Sequence, residues 1–151
     1  DMTALVHQLS GSLELRLARL GCTLEVHPDM PLVRADENRM ADVFENLLTN
    51  AIKYGCDAPG KKIQVGAEST GGEIRYVVRD EGPGIAPEYQ ERIFGLFQRL
   101  HSDQEGTGVG LAIVAKVMNV HGGRAWVASE PGNGATFWIA FPALAAVPRK
   151  P

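Results

Sequence analysis

At 151 residues, 44% hydrophobic and with a formal net charge of −3, the chain suits one globular domain with its own core; it lacks the clustered basic excess that nucleic-acid binding requires. Its two cysteines, Cys22 and Cys56, are too few for a disulfide framework and are not spaced as a metal box, so a reduced, cytoplasmic setting is expected. No apolar run approaches the roughly 20 residues of a bilayer span and no charged-then-apolar leader opens the chain, so no direct membrane contact is expected, whether the parent protein is soluble or anchored.

Leucines at 5, 9, 13, 17 and 20 recur at helical spacing and Gly21 supplies a stop, which predicts a first amphipathic helix. A short strand follows over 23–27. Asp36 or Asn38 can cap a second helix that runs through Tyr54 and closes at Gly55. Residues 61–68 and 73–80 alternate as strands, and the Ser-Thr-Gly-Gly between them reads as a hairpin. The period of 108–121 is helical, ended by Gly122-Gly123, and 124–129 with 135–141 form a second hairpin across a Glu-Pro-Gly-Asn-Gly turn. Residues 146–151 read as a frayed tail. This order favours helices packed on one face of a largely antiparallel sheet over alternating parallel units.

Three segments carry chemistry. On the second helix, at about 100° per residue, Asn46, Asn50 and Lys53 fall within about a 60° stripe beside the apolar Met40, Val43, Phe44, Leu47 and Ala51. That stripe is about 10 Å long, comparable with an extended triphosphate. Asparagine oxygens can ligate magnesium and a lysine can neutralise phosphate, although the wet edge of any amphipathic helix shares the pattern. In the strand ending at Asp80, Ile74, Tyr76 and Val78 set the core phase, so Asp80 projects inward. A buried carboxylate needs a donor, and an adenine amine supplies one, with Gly82 and Gly84 leaving room for a flat ring; an ordinary turn is the plainer alternative. Gly106, Thr107, Gly108, Val109 and Gly110 precede Leu111 at a helix N-terminus, where backbone amides favour an anion. Residues 98–105 are polar and fit a mobile flap anchored by Phe94 and Phe97.

Two lookalikes fail. The run from Gly55 to Lys62 begins like a phosphate-binding P-loop but ends in lysine where a hydroxyl must meet magnesium, and it leads from a helix into a strand. The Gly106-x-Gly108 pair is followed by Leu111 where a dinucleotide fingerprint needs its third glycine.

Taken in order, ENLLTNAIKY, DEGPG, Phe94-Gly95-Leu96-Phe97, GTGVGL and GNGATF resemble the N, G1, F and G2 boxes and the closing glycine turn of bacterial sensor histidine kinases. The chain is similar over about residues 1–142 to their catalytic, ATP-binding domain, with 143–151 as a C-terminal tail, and looks most like the phytochrome type. The resemblance implies an α+β, two-layer sandwich of the Bergerat type: a mixed, mostly antiparallel sheet of about five strands with about three helices on one face. It implies ATP and Mg2+ as cofactors, with Asn50 the principal magnesium ligand and Asn46 assisting. Lys53 would bind phosphate, Tyr54 would pack by the adenosine and Asp80 would accept from adenine. Gly82, Gly84 and Ile85 would shape the ring pocket. Gly106, Gly108 and Gly110, with Thr107, Val109 and Leu111 in the same turn, would cradle phosphates, and Arg99 would meet the γ-phosphate or the partner domain. His7-Gln8-Leu9-Ser10 faintly echoes the family's phosphoacceptor box but lacks its acidic residue and proline. The implied partner is therefore a separate helical dimerisation and phosphoacceptor domain of the same kinase, and indirectly a response regulator. Two alternatives share this pattern: a nucleotide-driven clamp ATPase, which uses a glutamate where Asn46 stands, and a degenerate binding module without catalysis.

Overall fold

The computed structural model describes residues 1–95 and 109–150. Helix α1 spans Met2–Leu20; the Asp1 carboxylate caps it by accepting from the Ala4 N–H, and Gly21 ends it in the left-handed conformation at φ 68°. Strand β1, Thr23–Val26, leads to a two-residue strand β2, Leu32–Val33. Helix α2 covers Glu37–Gly55, and of the two candidate caps it uses Asp36, which accepts from the Arg39 N–H at 3.0 Å. Strands β3, Lys62–Thr70, and β4, Glu73–Asp80, form a hairpin whose turn glycines, Gly71 at φ 51° and Gly72 at φ 86°, adopt the left-handed geometry that matches strand twist. After two short 3-10 turns come helix α3, Gly110–Val120, and strands β5, Arg124–Ser129, and β6, Ala135–Pro142.

The sheet order is β1-β3-β4-β6-β5, with β1 parallel to β3 and every other pair antiparallel. Its two faces differ sharply. Ile74, Tyr76, Val78, Phe137, Ile139 and Phe141 are buried on one face, where α2 packs on β3 and β4, α3 packs on β5 and β6, and α1 packs on α2 and β1. Phe44 of α2, Tyr76 and Phe141 meet edge to face at 6.2 and 5.9 Å between centroids, tying helix to sheet through the centre of the core. The opposite face is uncovered among the described residues: Trp126 and Trp138 stack at 5.9 Å there, with the Arg124 guanidinium 4.0 Å from the Trp126 ring. A shallow groove of about 540 Å³ beside them, floored by Gly66, Val77 and Thr136, lies across the sheet from Asp80. The α+β two-layer architecture is as expected.

The C-terminal end departs from the expected frayed tail. Strand β7, Ala146–Val147, pairs antiparallel with β2, the Arg34 N–H donates to the Ala145 carbonyl at 2.7 Å, and Arg149 meets both the Met30 carbonyl and Asp29. Satisfied backbone groups hold these residues down, which composition alone does not reveal. Among the described residues no helix is long and apolar enough to cross a membrane.

Candidate functional site

The α2 sequence places its apolar residues on the sheet: Met40, Val43, Phe44, Leu47 and Ala51 are each 1% exposed or less. Asn46, Asn50, Lys53 and Tyr54 then fall along the half-buried border of that face, as helical spacing requires. The Asn46 Nδ2 donates to the Asp42 carbonyl at 2.8 Å, leaving its Oδ1 free of the helix. That Oδ1 lies against the start of α3: a Cβ built on Gly110 would come within 2.7 Å of it. The Asn50 side chain makes no hydrogen bond among the described residues, so one turn further along a half-buried amide stands without a partner among them. The Lys53 ammonium sits 5.3 Å from the centroid of the Tyr54 ring.

Asp80 is 4% exposed, inward as the strand phase predicts. Its Oδ1 accepts from the N–H groups of Gly82 at 2.9 Å and Ala135 at 3.2 Å. Its Oδ2 accepts nothing among the described residues, an orphaned buried oxygen that calls for a donor. Burial pushes the Asp80 carboxyl above the ordinary range, and the two backbone N–H groups only partly oppose it.

The same α2 reaches this carboxylate. A Cβ on Gly55 would fall 2.3 Å from the Asp80 Cβ, and one on Gly82 would fall 2.5 Å from the Tyr54 carbonyl oxygen. The helix end, the aspartate and the following turn therefore touch through glycines. Besides the space for a ring expected of them, Gly82 and Gly84 serve close packing: without a Cβ, Gly82 lets α2 close on the turn. Gly84, at φ 79°, is small because the Glu130 carbonyl would lie 2.4 Å from any Cβ. Ile85, in the turn that follows, is buried at 6% exposure.

At the other end, α3 begins at Gly110 with Val109 as N-cap, whose side chain makes no capping bond to the first-turn N–H groups. Leu111 packs partly buried against the core. Phe94 stands edge to face with Phe137, centroids 6.2 Å apart. The predicted residues Phe97, Arg99, Gly106, Thr107 and Gly108 lie outside the described residues. Thr136, on the face of β6 opposite Phe137, lines the groove across the sheet and not the Asp80 site.

Sequence reasoning missed Gly55 and Gly134, whose absent side chains allow contact with Asp80, and Ser129 and Gln90, which tie the Asp80 turn to the β5–β6 hairpin. Only Gly134, inside GNGATF, carried a signal. Cys56 does not join the site as a nucleophile: burial first, then the neighbouring Cys22 and Asp80, pushes its thiol up to about 12. Among the described residues no group of three or more His, Cys, Asp and Glu could hold a metal.

Residues 35–145 match the family model for histidine kinase-, DNA gyrase B- and HSP90-like ATPases. The methanogenesis regulatory histidine kinase FilI of Methanothrix harundinacea is 40% identical over 138 residues, 91% of this chain and 16% of the relative. Cyanobacterial phytochrome A of a Nostoc species is 44% identical over 135 residues, 87% of this chain and 17% of the relative. The chain thus spans under a fifth of the length of either relative. Among solved structures, full-length ShkA in complex with AMPPNP superposes with a TM-score of 0.82 at 32% identity, covering 99% of this chain and 31% of that one.

Proposed function

The chain belongs to the family of histidine kinase-, DNA gyrase B- and HSP90-like ATPases, and from that premise we propose that it is the catalytic domain of a cytoplasmic sensor histidine kinase. In this role it binds Mg-ATP and donates the γ-phosphate to a histidine on a separate helical dimerisation and phosphoacceptor domain. A response regulator then receives the phosphate. One observation carries the reading: a single helix, α2, presents Asn46 to the start of α3 and Gly55 to Asp80, so the phosphate-type and base-type groups share one wall. The nine helical steps from Asn46 to Gly55 rise about 13 Å, the scale of a nucleoside triphosphate. The binding of AMPPNP, an ATP analogue, by the similar ShkA agrees with it.

The roles follow from the geometry. The free Oδ2 of Asp80 accepts the adenine amine in a site that excludes water, and Ile85 supplies the apolar wall against the ring. Asn50, whose amide has no protein partner among the described residues, and Asn46, whose Oδ1 is held outward by the bond from Nδ2, would hold magnesium. The ion supplies charge neutralisation at the phosphates. Lys53 adds a second positive charge from the same stripe, and the uncapped N–H groups of α3 add partial ones. Because phosphoryl transfer depends mainly on placement and charge stabilisation, no side chain of this domain needs to act as a base.

A hydrolytic clamp is disfavoured. Asn46 stands where such enzymes use a water-activating glutamate, and Glu45 is exposed, about 100° around the helix. The test is titration of a fluorescent ATP analogue with and without Mg2+ on wild type and Asn50→Ala. We expect the magnesium-dependent component to vanish in the variant with its circular dichroism unchanged; equal affinities would overturn the assignment.

A further inference from the structure

We propose that Ser129 and Gln90 are positioning residues that latch the turn after Asp80 onto the β5–β6 hairpin, and that this latch sets affinity for the nucleotide base. The inference rests on the nucleotide-binding role above and adds two residues to it.

The turn over 81–85 has no strand partner of its own, so its shape depends on a few bonds from elsewhere. The Ile85 N–H donates to the Ser129 Oγ at 2.8 Å, and the same hydroxyl donates to the Gly134 carbonyl at 2.7 Å. The Gln90 Nε2 donates to the Ile85 carbonyl at 3.0 Å and to the Ser129 carbonyl at 2.7 Å. Both polar groups of the buried Ile85 backbone are thus satisfied by side chains, one from a strand end and one from the 3-10 segment beyond. Gly132 adds a backbone bond to the Pro83 carbonyl at 2.6 Å.

Ser129 acts on both walls of the carboxylate. Through Ile85 it fixes the turn whose Gly82 N–H holds the Asp80 Oδ1. Through Gly134 it fixes the residue before Ala135, whose N–H holds the same oxygen. The direction of the unpaired Oδ2 therefore depends on a hydroxyl that makes no contact with Asp80 itself. Losing either latch residue leaves buried backbone groups unsatisfied, which favours relaxation of the turn. The phosphate end gains nothing from these bonds.

The experiment measures binding of Mg-ATP and of inorganic tripolyphosphate with Mg2+ by calorimetry, on wild type, Ser129→Ala, Ser129→Thr, Gln90→Leu and Gln90→Glu. Folding is checked by circular dichroism. Ser129→Ala and both Gln90 variants should bind Mg-ATP roughly tenfold more weakly, with tripolyphosphate affinity unchanged. Ser129→Thr, which keeps the hydroxyl, should restore ATP affinity. The Ser129→Ala and Gln90→Leu double variant should lose less than the product of the single losses, because both act on one turn. Gln90→Glu keeps the side-chain shape while removing both donors, so it decides the matter even if Ser129→Ala does not fold. Folded variants with full ATP affinity, or an equal loss for tripolyphosphate, would overturn the latch while leaving the nucleotide role standing. A wild-type domain that binds no ATP would overturn both.

Discussion

The two ends of α2 are built on opposite principles. Near Gly55 the contacts are close and buried: Asp80 is 4% exposed, Gly55 and Gly82 admit no Cβ, and the carboxylate is held by two backbone N–H groups. Near Asn46 and Asn50 the side chains are half-exposed, one amide has no partner among the described residues, and the neighbouring helix start is uncapped. A flat, neutral ring is recognised by shape and by one directed acceptor, so its end must be finished before the ligand arrives. A hydrated cation and a polyphosphate bring their own ligands and charge, so the other end stays polar and unsaturated. It follows that disturbing the packing at the base end costs stability and binding together, whereas damage at the phosphate end costs binding alone.

The severest test is Gly55→Ala. Alanine favours a helix, yet its Cβ would enter the Asp80 side chain at 2.3 Å from Cβ and 2.7 Å from Cγ. Both partners are buried, so neither can swing into solvent. We expect destabilisation of about 3 kcal/mol, a melting temperature lower by roughly 6–12 °C, and loss of ATP binding. Asn50→Ala, by contrast, should stay within about 0.5 kcal/mol of wild type in denaturant unfolding. Equal melting temperatures for wild type and Gly55→Ala would show that the base end is not finished in the sense argued.

Asp80→Asn separates the two costs within the base end. Asparagine keeps an Oδ1 to accept from Gly82 and Ala135 but removes the charge. Because the folded state raises the Asp80 pKa, the folded protein holds that proton more tightly than the unfolded chain does. Stability contributed by this group is therefore present below the ordinary value of 3.8 and is lost as pH rises through the raised one. At neutral pH the ionised Asp80 is a stability cost, so Asp80→Asn should unfold at higher denaturant concentration than wild type. Its ATP affinity should fall by about 10- to 100-fold, the scale of a hydrogen bond to a charged acceptor. Wild-type affinity should also weaken in acid as Asp80 protonates, at a pH above the ordinary carboxylate range, and Asp80→Asn should lose that dependence. Lower stability in Asp80→Asn at pH 7 would contradict the burial account.

What was legible in the sequence follows the same division. Helical and strand periods located α2, β4 and the inward Asp80, because apolar phase is a local property that survives folding. The pairing of β2 with β7 was hidden, since two-residue strands have no period to read. The purpose of the glycines was hidden for a different reason: whether Gly82 makes room for a ligand or for the Tyr54 carbonyl depends on which backbone arrives from 28 residues earlier in the chain. Ser129 and Gln90 looked like ordinary polar residues, because their bonds to Ile85 cross from separate elements. The asparagine stripe was legible because a site left open keeps its side chains on a helix surface, where spacing alone orders them.

Salt offers the gentlest way to tell the ends apart, through Lys53→Met. The Lys53 side chain is half-exposed and its ammonium rests by the Tyr54 ring, so its attraction for phosphate passes largely through solvent. Such an interaction is screened over about 10 Å at 0.1 M ionic strength, and its loss should cost about 1 kcal/mol or less at low salt. Methionine keeps the apolar stem that covers the helix border, so unfolding should be unchanged. We expect Lys53→Met to weaken ATP binding about three- to fivefold at 0.02 M salt, with the gap to wild type closing towards 0.5 M as screening removes what the charge contributed. The deficit of Asp80→Asn should persist across the same range, because a buried, directed hydrogen bond has no solvent path to screen. Parallel salt curves for the two variants would mean that the two ends of α2 do not differ in kind.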